Sequence, residues 1–241
     1  MYGNNPVRKK NPRSDGALHV QEVFSTIQGE GPHAGRPAIF VRLAGCNLRC
    51  YFCDTDFESN WNQVLSPAQL VERIQQLREG RAIDLLVLTG GEPLLQDLTY
   101  FLDEVFELNL EVQIETSGSL WNESLDEFVW ENDLEFVVSP KTKTVHPNIC
   151  KRASAWKYIV RHGELAADGL PSISTQIPGK PSMLARPPNF HLGWYRDRIY
   201  LQPCDEGDEL KNTMNLKAAI DSCMTHGYRL CLQQHKLVGL P

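Results

Sequence analysis

The chain has 241 residues, of which 41% are hydrophobic and 22% charged, and a net charge of −6; that is the composition of a globular chain long enough for one sizeable core. The first 18 residues hold four basic side chains and one acidic, so the remainder carries −9, a poor surface for phosphates, which excludes direct nucleic-acid binding by the folded body. No run approaches the roughly 18 apolar residues of a membrane helix, and the N-terminus lacks the apolar block of a signal peptide, so the expectation is a cytoplasmic protein with no membrane role.

Residues 1–18 read as a flexible basic tail and 19–241 as one domain. The first β-like apolar run is Ala38–Leu43, and Leu85–Leu88, Glu111–Glu115, Glu135–Val138, Trp156–Val160 and Ile199–Gln202 follow. Helical patterns lie between them. Ser66-Pro67-Ala68-Gln69 is an N-cap, a first-turn proline and a capping-box glutamine, and Leu70, Val71, Ile74 and Leu77 then share one helical face. Further helices are predicted at Leu95–Leu108, Ser124–Glu131 and Thr213–His226, the last stopped by Gly227. Residues 161–198, with five prolines and four glycines, are too long for a plain connection and read as an insertion, lid or interface arm. Arg229–Gln233 is expected to be a last short strand.

Strands alternating with helices indicate βα units and parallel pairing. In such folds the C-terminal strand ends share one face, and that face carries the site. The cysteine cluster follows the first run, Thr89-Gly90-Gly91-Glu92-Pro93 the second, Glu115–Gly118 the third, Ser139-Pro140-Lys141 the fourth and Gln202-Pro203 the last. These polar motifs should therefore converge.

Seven cysteines in a chain of this kind point to metal or catalysis rather than a disulfide framework. Cys46, Cys50 and Cys53 form C-x3-C-x2-C. Three thiolates can hold three irons of a cubane and leave the fourth open to an exogenous ligand. A structural zinc site, with His33 or a remote cysteine as fourth ligand, and plain buried thiols are the alternatives. Gly90-Gly91 permits close backbone approach to a ligand, and Glu92 offers an acceptor. Alone, that string is an ordinary turn; beside the cysteine loop it is specific.

The cysteine loop and Gly90–Pro93 together resemble the radical S-adenosylmethionine (SAM) superfamily. Glu22–Gly31, Gly35–Asn47, Cys53-Asp54-Thr55, Thr89–Pro93, Glu115–Gly118, Ser139–Lys141, Gln202-Pro203 and Gln234-His235-Lys236 resemble, within it, the 7-carboxy-7-deazaguanine synthases. The resemblance implies an incomplete βα barrel of the TIM type in a single domain, a [4Fe–4S] cluster, SAM and Mg2+. It implies the radical ring contraction of 6-carboxy-5,6,7,8-tetrahydropterin with loss of ammonia, in 7-deazapurine synthesis. The implied partners are that small pterin, a flavodoxin-like reductant and a second copy of the chain.

Residue roles follow from the resemblance. Phe52, Cys53, Asp54, Gly91, Glu92, Ser139, Pro140, Lys141, Gln202, Pro203, Cys204 and Asp205 fall on its SAM site. Ile27, Gln28, Gly29, Glu30, Arg42, Thr89, His235 and Pro241 fall on its pterin site, Pro241 through a terminal carboxylate, and Thr55 on its magnesium site. Arg42 also has its own argument: a guanidinium within Ile-Phe-Val-Arg-Leu should point into a polar cavity and can fork onto a carboxylate. Two rival readings remain, a glycyl-radical activase and a zinc module without redox chemistry.

Overall fold

The computed structural model describes every residue except 1, 2, 11, 12, 132 and 194. Its frame is a nine-stranded sheet in the order β3-β1-β2-β4-β5-β6-β7-β8-β9. The strands are β1 (Leu18–Ile27), β2 (Pro37–Leu43), β3 (Val64–Leu65), β4 (Leu85–Gly90), β5 (Glu111–Thr116), β6 (Leu134–Val138), β7 (Ala153–Val160), β8 (Ile199–Pro203) and β9 (Arg229–Leu230). β1 runs antiparallel to β2 and β3, whereas each pair from β2–β4 to β8–β9 is parallel. The edge strands β3 and β9 do not pair with each other, so the barrel is incomplete and open, as expected.

Alternation along the strands separates two faces. Ile39, Val41, Leu86, Leu88, Val112, Ile114, Phe136, Trp156, Tyr158 and Leu201 join the main core under the helices. The intervening positions face the barrel interior. Ala38, Leu85 and Val87 form one small cluster there, with Phe40 packed on it, and Val137, Ala155, Tyr200 and Cys231 form another. Above this apolar floor the interior positions turn polar: Arg42, Thr89, Glu115, Lys157 and Gln202 line a cavity.

The helices are α1 (Pro67–Arg78), α2 (Thr99–Phe106), α3 (Leu125–Glu131), α4 (Pro147–Arg152), α5 (Glu209–His226) and α6 (Gln234–Leu237). The α1 start is the predicted capping box: Ser66 Oγ accepts from Gln69 N at 3.3 Å, and Gln69 Oε1 accepts from Ser66 N at 2.9 Å. Ser66→Ala should lower stability by about 1 kcal/mol and Tm by about 2–4 °C, measured by thermal denaturation, with iron content unchanged.

Several boundaries differ from the sequence expectation. The helix expected at Leu95–Leu108 begins only at Thr99, because Pro93–Leu95 makes a 3-10 turn and Asp97 Oδ1 accepts from Thr99 N at 3.1 Å. The last long helix starts at Glu209 rather than Thr213, since Asp208 Oδ1 accepts from Lys211 N at 3.1 Å and caps it. Arg229–Gln233 is strand only over its first two residues. Pairing with β8 ends at Leu201↔Leu230, and Gln234 N then bonds Gly29 O at 3.2 Å as the chain turns into α6. The sequence expectation does not include the strands β1 and β3 or the helices α4 and α6.

Candidate active site

The polar motifs do converge. One cavity of about 640 Å³ is lined by residues from the C-terminal ends of the parallel strands, the cysteine loop and the last residues of the chain. Its size lies within the usual range for small-molecule sites.

The cysteine loop leaves β2 through Ala44-Gly45 and runs directly against the end of β4. Gly91 N bonds Leu43 O at 3.3 Å and Glu92 N bonds Gly45 O at 3.0 Å. A Cβ on Gly91 would lie 2.1 Å from Gly45 O and 2.7 Å from Cys46 Cβ. The two glycines thus let β4 dock backbone to backbone beneath the cysteines. Cys46, Cys50 and Cys53 are unpaired thiols and all line the cavity.

Two segments assigned from sequence to a tail and an insertion hold this loop. Arg8 N bonds Cys46 O at 2.7 Å, and its guanidinium pairs with Glu58 at 2.7 Å over the Trp61 ring. From the other side, Tyr51 N bonds Thr175 O at 3.0 Å and Arg49 N bonds Gln176 Oε1 at 2.7 Å. Gln176 Nε2 donates to Cys50 Sγ at 3.2 Å, and Leu48 N donates to Cys46 Sγ at 3.4 Å. N–H donors on sulfur suit iron-bound thiolates and tune a cluster's potential. The donor set, the loop and the glycine cradle therefore fit a [4Fe–4S] cluster. Zinc fits less well: His33 sits before β2, at the opposite ends of the strands, bonded to Glu135 and Arg36. Among the described residues no group of three or more His, Cys, Asp or Glu side chains could hold a single ion.

Of the residues expected at the cofactor, Phe52, Asp54, Gly91, Ser139, Lys141, Gln202, Pro203, Cys204 and Asp205 line the cavity, as does Cys53. Lys141 Nζ donates to Ser139 O at 3.1 Å, and burial lowers its pKa. Burial pushes the Cys204 thiol up to about 12. Glu92 and Pro140 do not line the cavity. Glu92 is fully buried and accepts from Leu94 N at 3.2 Å, Thr116 Oγ1 at 2.6 Å and Ser117 N at 2.9 Å. Its carboxylate ties the end of β4 to the end of β5, and burial raises its pKa despite these bonds. Pro140 is buried behind Ser139 and Lys141.

On the other side, Gln28, Glu30, Arg42, Thr89, His235 and Pro241 line the cavity, whereas Ile27 and Gly29 do not. Gly29 instead meets the last segment: a Cβ there would lie 2.1 Å from His235 Nδ1 and 2.9 Å from His235 N. Arg42 Nε donates to Glu22 Oε1 at 2.6 Å on the cavity wall. Pro241 O accepts from Thr26 Oγ1 at 2.9 Å. Lys236 bridges Asp54 at 3.2 Å and Asp205 at 3.4 Å. Burial lowers the pKa of His235. Thr55 also lines the cavity, its hydroxyl 3.1 Å from Asp54 Oδ1.

Lys157 and Gln233 were not among the expected site residues, and Glu22, Glu115 and Lys236 entered only as parts of motifs. Lys157 carried the same signal as Arg42, a cation inside an apolar strand. Of the remaining cysteines, Cys150 and Cys223 pack with the main core.

A model of the Radical SAM superfamily matches residues 41–182. The 7-carboxy-7-deazaguanine synthase of Rhodospirillum rubrum is 42% identical over 247 residues, covering all of both chains. That of Rickettsia prowazekii is 32% identical and covers all of this chain and 96% of its own. The crystal structure of QueE from Escherichia coli superposes with a TM-score of 0.59 at 26% identity, over 90% of this chain and 93% of that one.

Proposed function

We propose the activity of this chain from its family: the chain belongs to the radical SAM superfamily and, within it, to the 7-carboxy-7-deazaguanine synthases. Its reaction is the ring contraction of 6-carboxy-5,6,7,8-tetrahydropterin to 7-carboxy-7-deazaguanine and ammonia, which is redox-neutral overall. The observation that carries the reading is one cavity lined by the cysteine loop, by the carboxylates and amides of Gln28, Glu30, Glu115 and Gln202, and by the last residues of the chain. Once bound, the cluster and SAM supply a radical able to remove hydrogen from an unactivated carbon, which no side chain can do.

The chain's own residues bind and orient. Cys46, Cys50 and Cys53 hold the cluster. Phe52, Asp54, Gly91, Ser139, Lys141 and Gln202 through Asp205 surround SAM, with Glu92 fixing the strand ends beneath it. Gln28, Glu30, Thr89 and Glu115 present acceptors and amides to the aminopyrimidine edge of the pterin. Arg42 suits the substrate carboxylate, exchanging its bond with Glu22 for a fork onto the ligand. Thr55 would supply one oxygen to Mg2+, a hard cation that takes oxygen ligands.

We place residues 19–241 in one domain, with 161–198 as a wall behind the cysteine loop. No helix among the described residues is long and apolar enough to cross a membrane, and we assign the protein to the cytoplasm. The working unit is a homodimer, reduced by a flavodoxin-like protein; exposed Leu210, Met214, Ile220 and Met224 on α5 offer an apolar surface for self-association. Enzyme reconstituted without oxygen should convert carboxypterin to the deazaguanine and ammonia with no net loss of SAM. Consumption of SAM without that product would overturn the reading in favour of an activase.

A further inference from the structure

The pterin end of the cavity contains an ion triad whose cation, Lys157, the proposed reaction does not otherwise use. Lys157, on β7, reaches up between two carboxylates: it is bonded to Glu30 Oε2, and its Nζ lies 3.5 Å from Glu115 Oε2. The three side chains are 8%, 12% and 16% exposed respectively, and all three line the cavity.

Each carboxylate is also fixed by neutral donors. Glu30 accepts from Gln233 Nε2 at 2.8 Å. Glu115 accepts from Gln28 Nε2 at 3.1 Å, Gln113 Nε2 at 3.2 Å and Thr89 Oγ1 at 3.5 Å. The donors come from the segment after β1, from β4 and β5, and from the residue before α6, so the triad is a meeting point for four parts of the chain.

We propose that Lys157 is a positioning residue for the pterin, holding Glu30 and Glu115 as two fixed, ionised acceptors for the ring's N–H donors. The inference rests on the pterin reading of this site. Its physical basis is charge balance. Two carboxylates taken out of water near one another cannot both stay ionised without a cation, and they resolve the conflict by taking up a proton. A protonated carboxyl is a poorer acceptor and can present a donor against the substrate's own donors.

The electrostatics agree. Burial alone would lower Lys157, but Glu115 and Glu30 outweigh it and its pKa is raised. Burial alone would raise Glu30, but Lys157 and Gln233 outweigh that and its pKa is lowered.

The other charged or titratable groups acting on the triad are Asp54 in the cysteine loop, Lys141 beyond β6, Cys231 beyond β9 and His235 on α6, and Arg42 on β2 and Lys236 on α6 act in turn on His235. His235 titrates below its ordinary range and Cys231 is pushed up to about 12, so neither changes charge between about pH 7 and pH 9. Lys141 is lowered by burial and also by Lys157, so loss of the Lys157 charge moves it back towards its ordinary range, where it stays a cation, and Lys157→Arg, which keeps the charge, is the baseline for it.

The test is anaerobic calorimetric titration of cluster-loaded, unreduced enzyme plus SAM with 6-carboxy-5,6,7,8-tetrahydropterin, at about pH 7 and about pH 9. In Lys157→Met one proton settles on the carboxylate pair at the lower pH. Kd should then rise at least about tenfold relative to wild type at pH 7 and return to within about threefold at pH 9. Lys157→Arg, which keeps the cation, should follow wild type at both pH values. Iron content and SAM affinity should match wild type throughout. An equal loss at both pH values, or no loss, overturns the proposal. If Lys157→Met does not fold, Lys157→Gln is read in the same way. Failure of both to fold also overturns it, because Lys157 is then a structural counter-ion. Wild type that does not bind the pterin would instead refute the underlying reading of the site, and the inference with it.

Discussion

Cys50→Ala should purify without its cluster and show SAM cleavage and pterin turnover at background, a loss of at least about a thousandfold. Cys50 is in the middle of the loop and receives a bond from Gln176 Nε2 at 3.2 Å. The loop itself is held by backbone bonds at Cys46, Arg49 and Tyr51, none of which uses the Cys50 side chain. The variant should therefore fold and keep a wild-type melting profile without metal, and the loss is one of ligation rather than stability. With two thiolates left, a cubane lacks the ligands to stay in place. Cys223→Ala is the matched control. Cys223, on α5, is buried in the main core away from the cavity lining, so its loss removes packing and leaves iron content intact. Iron and sulfide analysis with the visible spectrum checks both. Full iron loading in Cys50→Ala would sink the assignment of the loop.

Much of this arrangement was legible because each motif closes an apolar run, and the C-terminal ends of parallel strands share one face. The Arg42 side chain lines the cavity for the reason readable in Ile-Phe-Val-Arg-Leu: strand alternation places one charged residue on the interior face. The same rule applies to Trp-Lys-Tyr at 156–158, where Trp156 and Tyr158 enter the main core and Lys157 turns inward. β1 was harder to see, because its interior face is built of Glu22, Phe24 and Thr26 lining the cavity; polar residues on a wet interior blur the apolar pattern by which strands are recognised.

The direction of Glu92 was not legible at all. Gly90 has a φ of +140° and breaks the alternation just before it, so residue parity no longer says which way the next side chain points. Nor could spacing show that residues near Arg8 and Gln176 brace the cysteine loop, since the bonds from Arg8 N to Cys46 O and from Tyr51 N to Thr175 O join segments distant in sequence through backbone groups that every residue type carries.

The last residues of the chain form a strap, and a change outside the cavity should loosen it. Gly29 faces the strap without lining the cavity, and Gln234 N bonds its carbonyl at 3.2 Å. In Gly29→Ala the new Cβ would stand 2.1 Å from His235 Nδ1, 2.9 Å from His235 N and 3.0 Å from Gln234 N. The imidazole can swing away, but the two backbone nitrogens can only retreat with the segment that carries them. That retreat pulls His235 out of the cavity and strains the bonds that hold the strap at its other points. Those are Lys236 to Asp54 and Asp205, Gln233 to Glu30, and Thr26 to Pro241. Leaving buried polar groups unpaired costs about 1–3 kcal/mol each, so carboxypterin affinity should fall about tenfold to a hundredfold. Cluster content should not change, because the cysteine loop is braced from Arg8 and Gln176, and the strap meets it at the Asp54 side chain, beyond the third cysteine. Gly29→Ala with unaltered Kd for the pterin would mean that the strap does not close the substrate end of the cavity.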